Sequence, residues 1–284
     1  MIWAITTVCG NEANGLLDYW IGHYCQWAQR MLICVTDDTS LAAPPKLFNQ
    51  VGKVIVAHVP TKYAVGPEQH DMHYRLLLRH GLNKERDWTI FADLDEFYAF
   101  PACMSKVIAA CDEEALPGVF GHFVDMVAKD GSLNYVQPPV DINHCAHDSL
   151  RAQFPVETRI TEMLVRGGTK KVMLCRGCVQ VGAGHHDIYI DGRPAEEANP
   201  SSALLWGGTK DVARGDWKVH HYKWKAELKA RLEEQLRSGA ATDRWVREAK
   251  HLLDYFSRHD NKVCFTDPVG LTDLSARDLD IPTH

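Results

Sequence analysis

WTIFADLDEF (residues 88–97) is an apolar run that ends in Asp93, Asp95 and Glu96. A buried strand delivers acids to the lip of a sheet in this way. In an extended chain alternate side chains share a face, so Asp93 and Asp95 are expected to point together while Leu94 points inward. Like charges held that close repel. A hard divalent cation relieves the repulsion, because Mg²⁺ or Mn²⁺ takes a few carboxylate oxygens and completes its shell with phosphate and water. The same spelling also serves a solvated acidic turn, so the rest of the chain has to decide between the two.

Upstream of this stretch the pattern is regular. IWAITTVC (2–9) reads as a strand that runs into the polar CGNEAN, and residues 15–30 place Leu16, Tyr19, Trp20, His23 and Trp27 at helical spacing. MLICVTDDTS (31–40) and VGKVIVAHVP (51–60) read as strands, and 72–81 as a helix closed by Gly81. Strands alternating with helices predict an α/β fold: a Rossmann-like, mostly parallel sheet flanked by helices, with ligands gathering at the carboxyl ends of the strands. Those ends carry Asn11-Glu12, Asp37-Asp38 and the acidic stretch. Downstream, 118–136 resembles a hairpin turning at Lys129-Asp130-Gly131, KKVMLCRGCVQV (170–181) is a strand, and 225–238 and 242–257 are helices. No linker composition separates domains. One domain over 1–284 is expected, with a nucleotide and metal half to about residue 100, an acceptor half to about 222 and C-terminal helices beyond.

Composition narrows the function. An apolar fraction of 45%, a charged fraction of 24% and a net charge of −6 describe an ordinary globular chain and argue against a broad basic nucleic-acid surface. No apolar run approaches the roughly 20 residues that span a bilayer, and the first strand lacks a basic leader. A cytoplasmic protein is expected, with peripheral contact at the inner face of the membrane through basic residues such as Lys223, Lys225, Lys229 and Arg231. Nine cysteines point to reduced thiols. Cys175 and Cys178 form a CxxC near several histidines, but a strand would hold the two sulfurs apart, which disfavours structural zinc.

Asn11-Glu12, Asp37-Asp38-Thr39-Ser40 and DLDEF, followed by VDMV (124–127), KKVMLCRG (170–177), GHH (184–186) and VHHYKWKAELKARL (219–232), resemble glycosyltransferase family 2 of GT-A fold. The likeness is to the D-x-D-E-F branch of bacterial enzymes and covers about residues 2–235. It implies transfer of a sugar from a nucleotide-diphosphate sugar to a glycan or lipid-linked acceptor, with inversion, as in bacterial surface polysaccharide or lipopolysaccharide synthesis. It further implies Mn²⁺ or Mg²⁺ held by Asp95 and Asp93, and a base or ribose contact at Asp37 or Asp38. Asn11 and Glu12 would lie under the nucleotide, and a late histidine among His185, His186, His220 and His221 would contact metal or phosphate. An inverting enzyme needs a general base on the acceptor side, for which Asp125, Asp187 and Glu162 are candidates. Two other readings are a nucleotidyltransferase, which would release pyrophosphate, and a GT-A domain that binds nucleotide sugar or glycan without turnover. A haloacid-dehalogenase-type phosphatase is disfavoured, because Phe97 stands where a Thr or Ser is required.

Overall fold

The computed structural model describes residues 1–9, 13–36, 53–60, 67–100, 103–139, 146–165, 168, 170–177, 179–190, 193–194, 217–238 and 243–265. Asn11, Glu12, Asp37, Asp38 and Cys178 lie outside the described residues. The strands are β1 (Ile2–Val8), β2 (Arg30–Thr36), β3 (Val54–Val59), β4 (Trp88–Phe91), β5 (Glu96–Ala99), β6 (Gly118–Val127), β7 (Val156–Thr158), β8 (Lys170–Arg176), β9 (Gln180–Val181), β10 (Ile188–Ile190), β11 (Arg193–Pro194) and β12 (Lys218–His221). The helices are α1 (Ala13–Tyr24), α2 (Pro67–Arg79), α3 (Met104–Glu113), α4 (Ala146–Gln153), α5 (Ile160–Val165), α6 (Glu227–Ser238) and α7 (Asp243–Arg258). None of the described helices is long and apolar enough to cross a membrane. By contacts the chain divides into two compact units.

The first unit comprises Met1–Phe123, Gln137–Leu150 and Lys170–His221. Its sheet runs in the order β3-β2-β1-β4-β8-β6-β12-β5. The first four strands are parallel, with Ile5 opposite Leu32 on one side and Phe91 on the other. β8 then runs antiparallel to β4, and residues 118–122 of β6 run antiparallel to β8. The fold is therefore mixed α/β with a largely parallel half, as expected from the alternating pattern. Chain order runs outward from β1 through β2 to β3 and then switches to β4 on the other side of β1, which makes the carboxyl ends of β1 and β4 the topological switch point of the sheet. α1 is buried almost all round, through Leu16, Leu17, Tyr19, Trp20, Ile21 and Tyr24, so it fills core space between strands. Close packing of β6 on β8 requires a residue without a side chain: a Cβ at Gly121 would lie 2.8 Å from the Trp217 carbonyl oxygen and closer still to Met173.

The second unit comprises Val124–Val136, Arg151–Thr169 and Tyr222–His284. α6 and α7 close over an apolar cluster that includes Val127, Leu164, Trp224, Leu228, Leu252 and Phe256. The hairpin expected at 129–131 does not form. Residues 125–127 pair β7 instead, and Ser132 makes only an isolated bridge with Lys262. The turn itself is present, with Gly131 at a φ of 76° and Asp130 bonded to the Ser132 amide and hydroxyl. Val263 N–H donates to the Gly131 carbonyl, so the turn is held by the chain's later end instead of by a returning strand.

Asp125 is structural here. At 1% exposure its carboxylate accepts from Thr161 N–H and Thr161 Oγ1 at 2.7 Å and from Trp224 Nε1 at 2.8 Å. These bonds tie β6, α5 and the segment leading into α6 together, and they engage both oxygens of the carboxylate that a general base would need free. Asp125→Asn replaces one acceptor oxygen with an NH2 donor that faces other donors, and a loss of about 2 kcal/mol in unfolding free energy is expected by urea titration.

Candidate functional site

Strand β4 stops at Phe91, one residue after which Ala92 N–H still bonds the Ile5 carbonyl. The chain then turns: Glu96 N–H donates to the Asp93 carbonyl at 3.0 Å, closing a four-residue turn over 93–96. Asp93 and Asp95 therefore do not share a strand face as expected. The turn aims them at different partners just beyond the carboxyl end of β4, at the switch point of the sheet.

Asp93, 40% exposed, lies 3.2 Å from Lys171 Nζ and 3.9 Å from His185 Nδ1. Glu96, the first residue of β5, is 1% exposed and pairs with the same ammonium at 2.6 Å. Tyr24 and Tyr98 fix the start of β5: Tyr24 O–H donates to the Glu96 carbonyl at 3.0 Å, and the Tyr98 hydroxyl reaches the Phe91 carbonyl and lies 3.3 Å from Glu96 Oε2. Asp95 Oδ2 is 3.8 Å from His221 Nε2, whose ring stacks on Phe123 at 4.5 Å. His221 stands opposite Glu96 in the β12–β5 ladder, which puts it beside the turn.

Electrostatics follow from one cation among several acids. Burial opposes ionisation of Asp93, yet the Lys171 charge outweighs it and holds that carboxyl well below the usual range. At Glu96 burial wins: with Asp93 and Asp95 adding repulsion against the pull of Lys171, its carboxyl is pushed up to about 8. Burial works to deprotonate Lys171, but Glu96 and Asp93 keep it charged.

A histidine cluster adjoins the acids. His70 and His73 on α2 and His185 are buried, and each brings a ring nitrogen within 4.8 Å of the others. Asp93, Glu96 and His185 form a second such group. His185 ends a short 3-10 turn (Ala183–His185) in which Gly184 and His185 have φ of 66° and 59°. A histidine in the left-handed region is uncommon, and strain of this kind persists where surrounding structure imposes it. Burial lowers His70 to about 4 and His73 to about 3, and takes His185 well below the ordinary histidine value, so all three are neutral imidazoles near neutrality. The sign for stability is definite. The unfolded histidines titrate near 6.5, so as pH falls below that value the unfolded chain takes up protons that the folded one refuses. In EDTA the melting temperature is expected to hold above pH 6.5 and to fall steadily toward pH 4, with a shallower fall in His73→Gln.

Of the other residues singled out from sequence, His186 is bonded through Nδ1 to the Lys170 carbonyl, and Asp187 is exposed directly after it. Glu162 lies on α5 in the second unit, half exposed and 3.9 Å from Arg159. Cys175 is buried in β8 with its sulfur 3.7 Å from the Thr89 carbonyl, and among the described residues no metal-competent group contains a cysteine. Lys171, His70 and His73 went unread in the sequence. The clues were a Lys-Lys pair opening an apolar strand and an H-x-x-H spacing that puts two rings on one helix face.

Glu96 is engaged by Lys171 and holds its proton up to about 8. The carboxylate oxygens that could take a hard divalent cation at the turn are therefore those of Asp93 and Asp95, with His221 beside Asp95 as a nitrogen that Mn²⁺ tolerates better than Mg²⁺.

No protein-family model matches the chain, and no curated protein is significantly similar to it. Among solved structures, 4-diphosphocytidyl-2C-methyl-D-erythritol synthase aligns over 62% of this chain and 75% of its own at 16% identity and a TM-score of 0.34. Mannose-6-phosphate isomerase from Helicobacter pylori aligns over 62% and 71% at 13% identity and a TM-score of 0.31. Likeness at this level carries no functional argument, so function has to come from the chemistry of the site.

Proposed function

We propose that this chain is a metal-dependent glycosyltransferase that moves a sugar from a nucleotide-diphosphate sugar to a glycan or lipid-linked acceptor, with inversion. The observation that carries the reading is the acidic turn at the sheet's switch point, where Asp93 and Asp95 each have a histidine within 4 Å, at 3.9 and 3.8 Å. Ligands of open α/β sheets gather outside the carboxyl ends of the strands at that point.

Breaking a glycosidic bond to a nucleoside diphosphate leaves charge on the departing phosphate. Asp93 and Asp95 would hold the cation that neutralises it, with His221 as nitrogen donor, and the ion supplies Lewis-acid charge stabilisation when bound. Lys171 keeps Asp93 ionised and in place. Asp187, exposed after the paired histidines, is our candidate for the base that takes the acceptor hydroxyl proton, since both carboxylate oxygens of Asp125 are engaged and Glu162 is set against Arg159.

A thermal-shift panel of UDP, GDP, CDP and dTDP, each with Mn²⁺, Mg²⁺ or EDTA, tests the reading. A ligand at about 100 times its Kd adds about 2.7 kcal/mol to native stability. One nucleotide should raise the melting temperature, and only with metal. Silence across the panel would overturn the proposal. Release of a nucleoside diphosphate during turnover would support glycosyl transfer, whereas pyrophosphate would identify nucleotidyl transfer.

A further inference from the structure

Beyond the acidic turn, the histidine cluster has chemistry that the transferase reading does not use. His70 and His73 sit one helical step apart on α2 and face His185, with the His70 and His185 rings 4.7 Å apart at 80° and the His70 and His73 rings 6.3 Å apart at 89°. All three are more than nine-tenths buried, at 7%, 1% and 2% exposure. Two outward bonds fix the helix pair: His73 Nε2 meets Thr7 Oγ1 at 2.6 Å, and Gly184 N–H donates to His70 Nε2 at 3.2 Å. Nδ1 of His70, Nδ1 of His73 and both ring nitrogens of His185 are buried with no hydrogen-bond partner. Phe91 lies along His73 at 6.3 Å and beside His185 at 5.7 Å, and an apolar ring cannot satisfy them. Buried polar atoms are rarely left unmatched, and unmatched imidazoles gathered at one point are the donor set of a transition metal.

We propose that His70, His73 and His185 form a three-nitrogen site for a borderline divalent transition cation of the zinc type, separate from the carboxylate site of the acidic turn. Ligation takes one lone pair per ring. His73 offers Nδ1 when its Nε2–H is donated to Thr7. His185 offers Nε2 when its Nδ1–H is turned to Asp93, whose Oδ1 is 3.9 Å away, the outer-carboxylate arrangement that orients metal-binding histidines. His70 offers Nε2 in place of the long contact from Gly184. Tetrahedral zinc with bonds of about 2.05 Å separates its ligands by about 3.4 Å. Nitrogens within 4.8 Å of one another therefore close in by at most about 1.4 Å on loading. A cavity of about 260 Å³ lined by His70, Tyr74, Phe91, Val179 and Val181 borders the cluster, giving the ion a way in and leaving room for a water as fourth ligand. The inference stands without the transferase reading.

The test is Co²⁺ titration of the EDTA-stripped full chain, followed by the visible d–d bands of tetrahedral cobalt, with zinc content of the reloaded protein measured by mass spectrometry. One equivalent giving tetrahedral bands is expected in the wild type and in Asp95→Asn, with at least a tenfold loss of affinity for it in His70→Gln and in His73→Gln. Absence of tetrahedral bands in the wild type overturns the proposal, as does their persistence in both histidine variants. X-ray absorption of the zinc-loaded wild type decides the matter even if the variants fail to fold: a shell dominated by three imidazoles supports the site, and a carboxylate shell refutes it. Neither result bears on the nucleotide-dependent thermal shift.

Discussion

At pH 9, where Glu96 has lost its proton and faces Lys171 as a buried ion pair, Lys171→Met is expected to lower the unfolding free energy by about 3–5 kcal/mol, the usual cost of leaving one member of such a pair without the other. Lys171 and Glu96 have side chains only 3% and 1% exposed and are 2.6 Å apart, so water cannot replace the lost ammonium. Methionine matches the length of the aliphatic stem and isolates the charge as the variable. The loss should grow with pH. Glu96 already holds its proton up to about 8 in the native protein, and without Lys171 it holds it more tightly still. An acid with a raised folded pKa contributes stability below its unfolded value near 4.3, and that contribution disappears as pH rises through the folded value. Urea titrations at pH 6 and pH 9 should therefore show the larger deficit at pH 9. Pairing the change with Glu96→Gln should restore much of the stability, because no buried charge then remains unmatched. A single-variant deficit below about 1 kcal/mol would mean that the pair is screened as surface pairs are.

The second large effect concerns turnover. Asp95→Ala should reduce kcat at least about 100-fold while leaving the melting temperature of the ligand-free protein close to wild type. Asp95 belongs to the turn and is only partly buried, at 18% exposure. Its removal should also abolish the metal-dependent nucleotide shift, since the cation would lose a ligand. Asp187→Asn separates metal from base: if Asp187 takes the acceptor proton, that variant keeps the nucleotide shift and loses turnover. Wild-type turnover in Asp95→Ala would remove the acidic turn from the chemistry.

The parts of this protein legible in its sequence are those fixed by short-range pattern. β-rich apolar runs at 2–9, 31–36 and 88–91 separated by helical periodicity are enough to set an α/β sheet, because burial on both faces demands continuous apolar strands. The same runs place acids at strand ends. What the sequence could not decide is direction over short distances and partnership over long ones. Alternation along a strand puts Asp93 and Asp95 on one face, but a single turn bond from Glu96 to Asp93 takes them out of the strand and gives them different neighbours, Lys171 and His185 for the first and His221 for the second. Asp125, between apolar neighbours, reads as a candidate base. Only the approach of Thr161 and Trp224, 36 and 99 positions away, makes it a structural acid. Lys171 and the α2 histidines gained a role when β8 and α2 met the end of β4, bringing charges and imidazoles from three distant segments into a space too dry for any of them to stand alone.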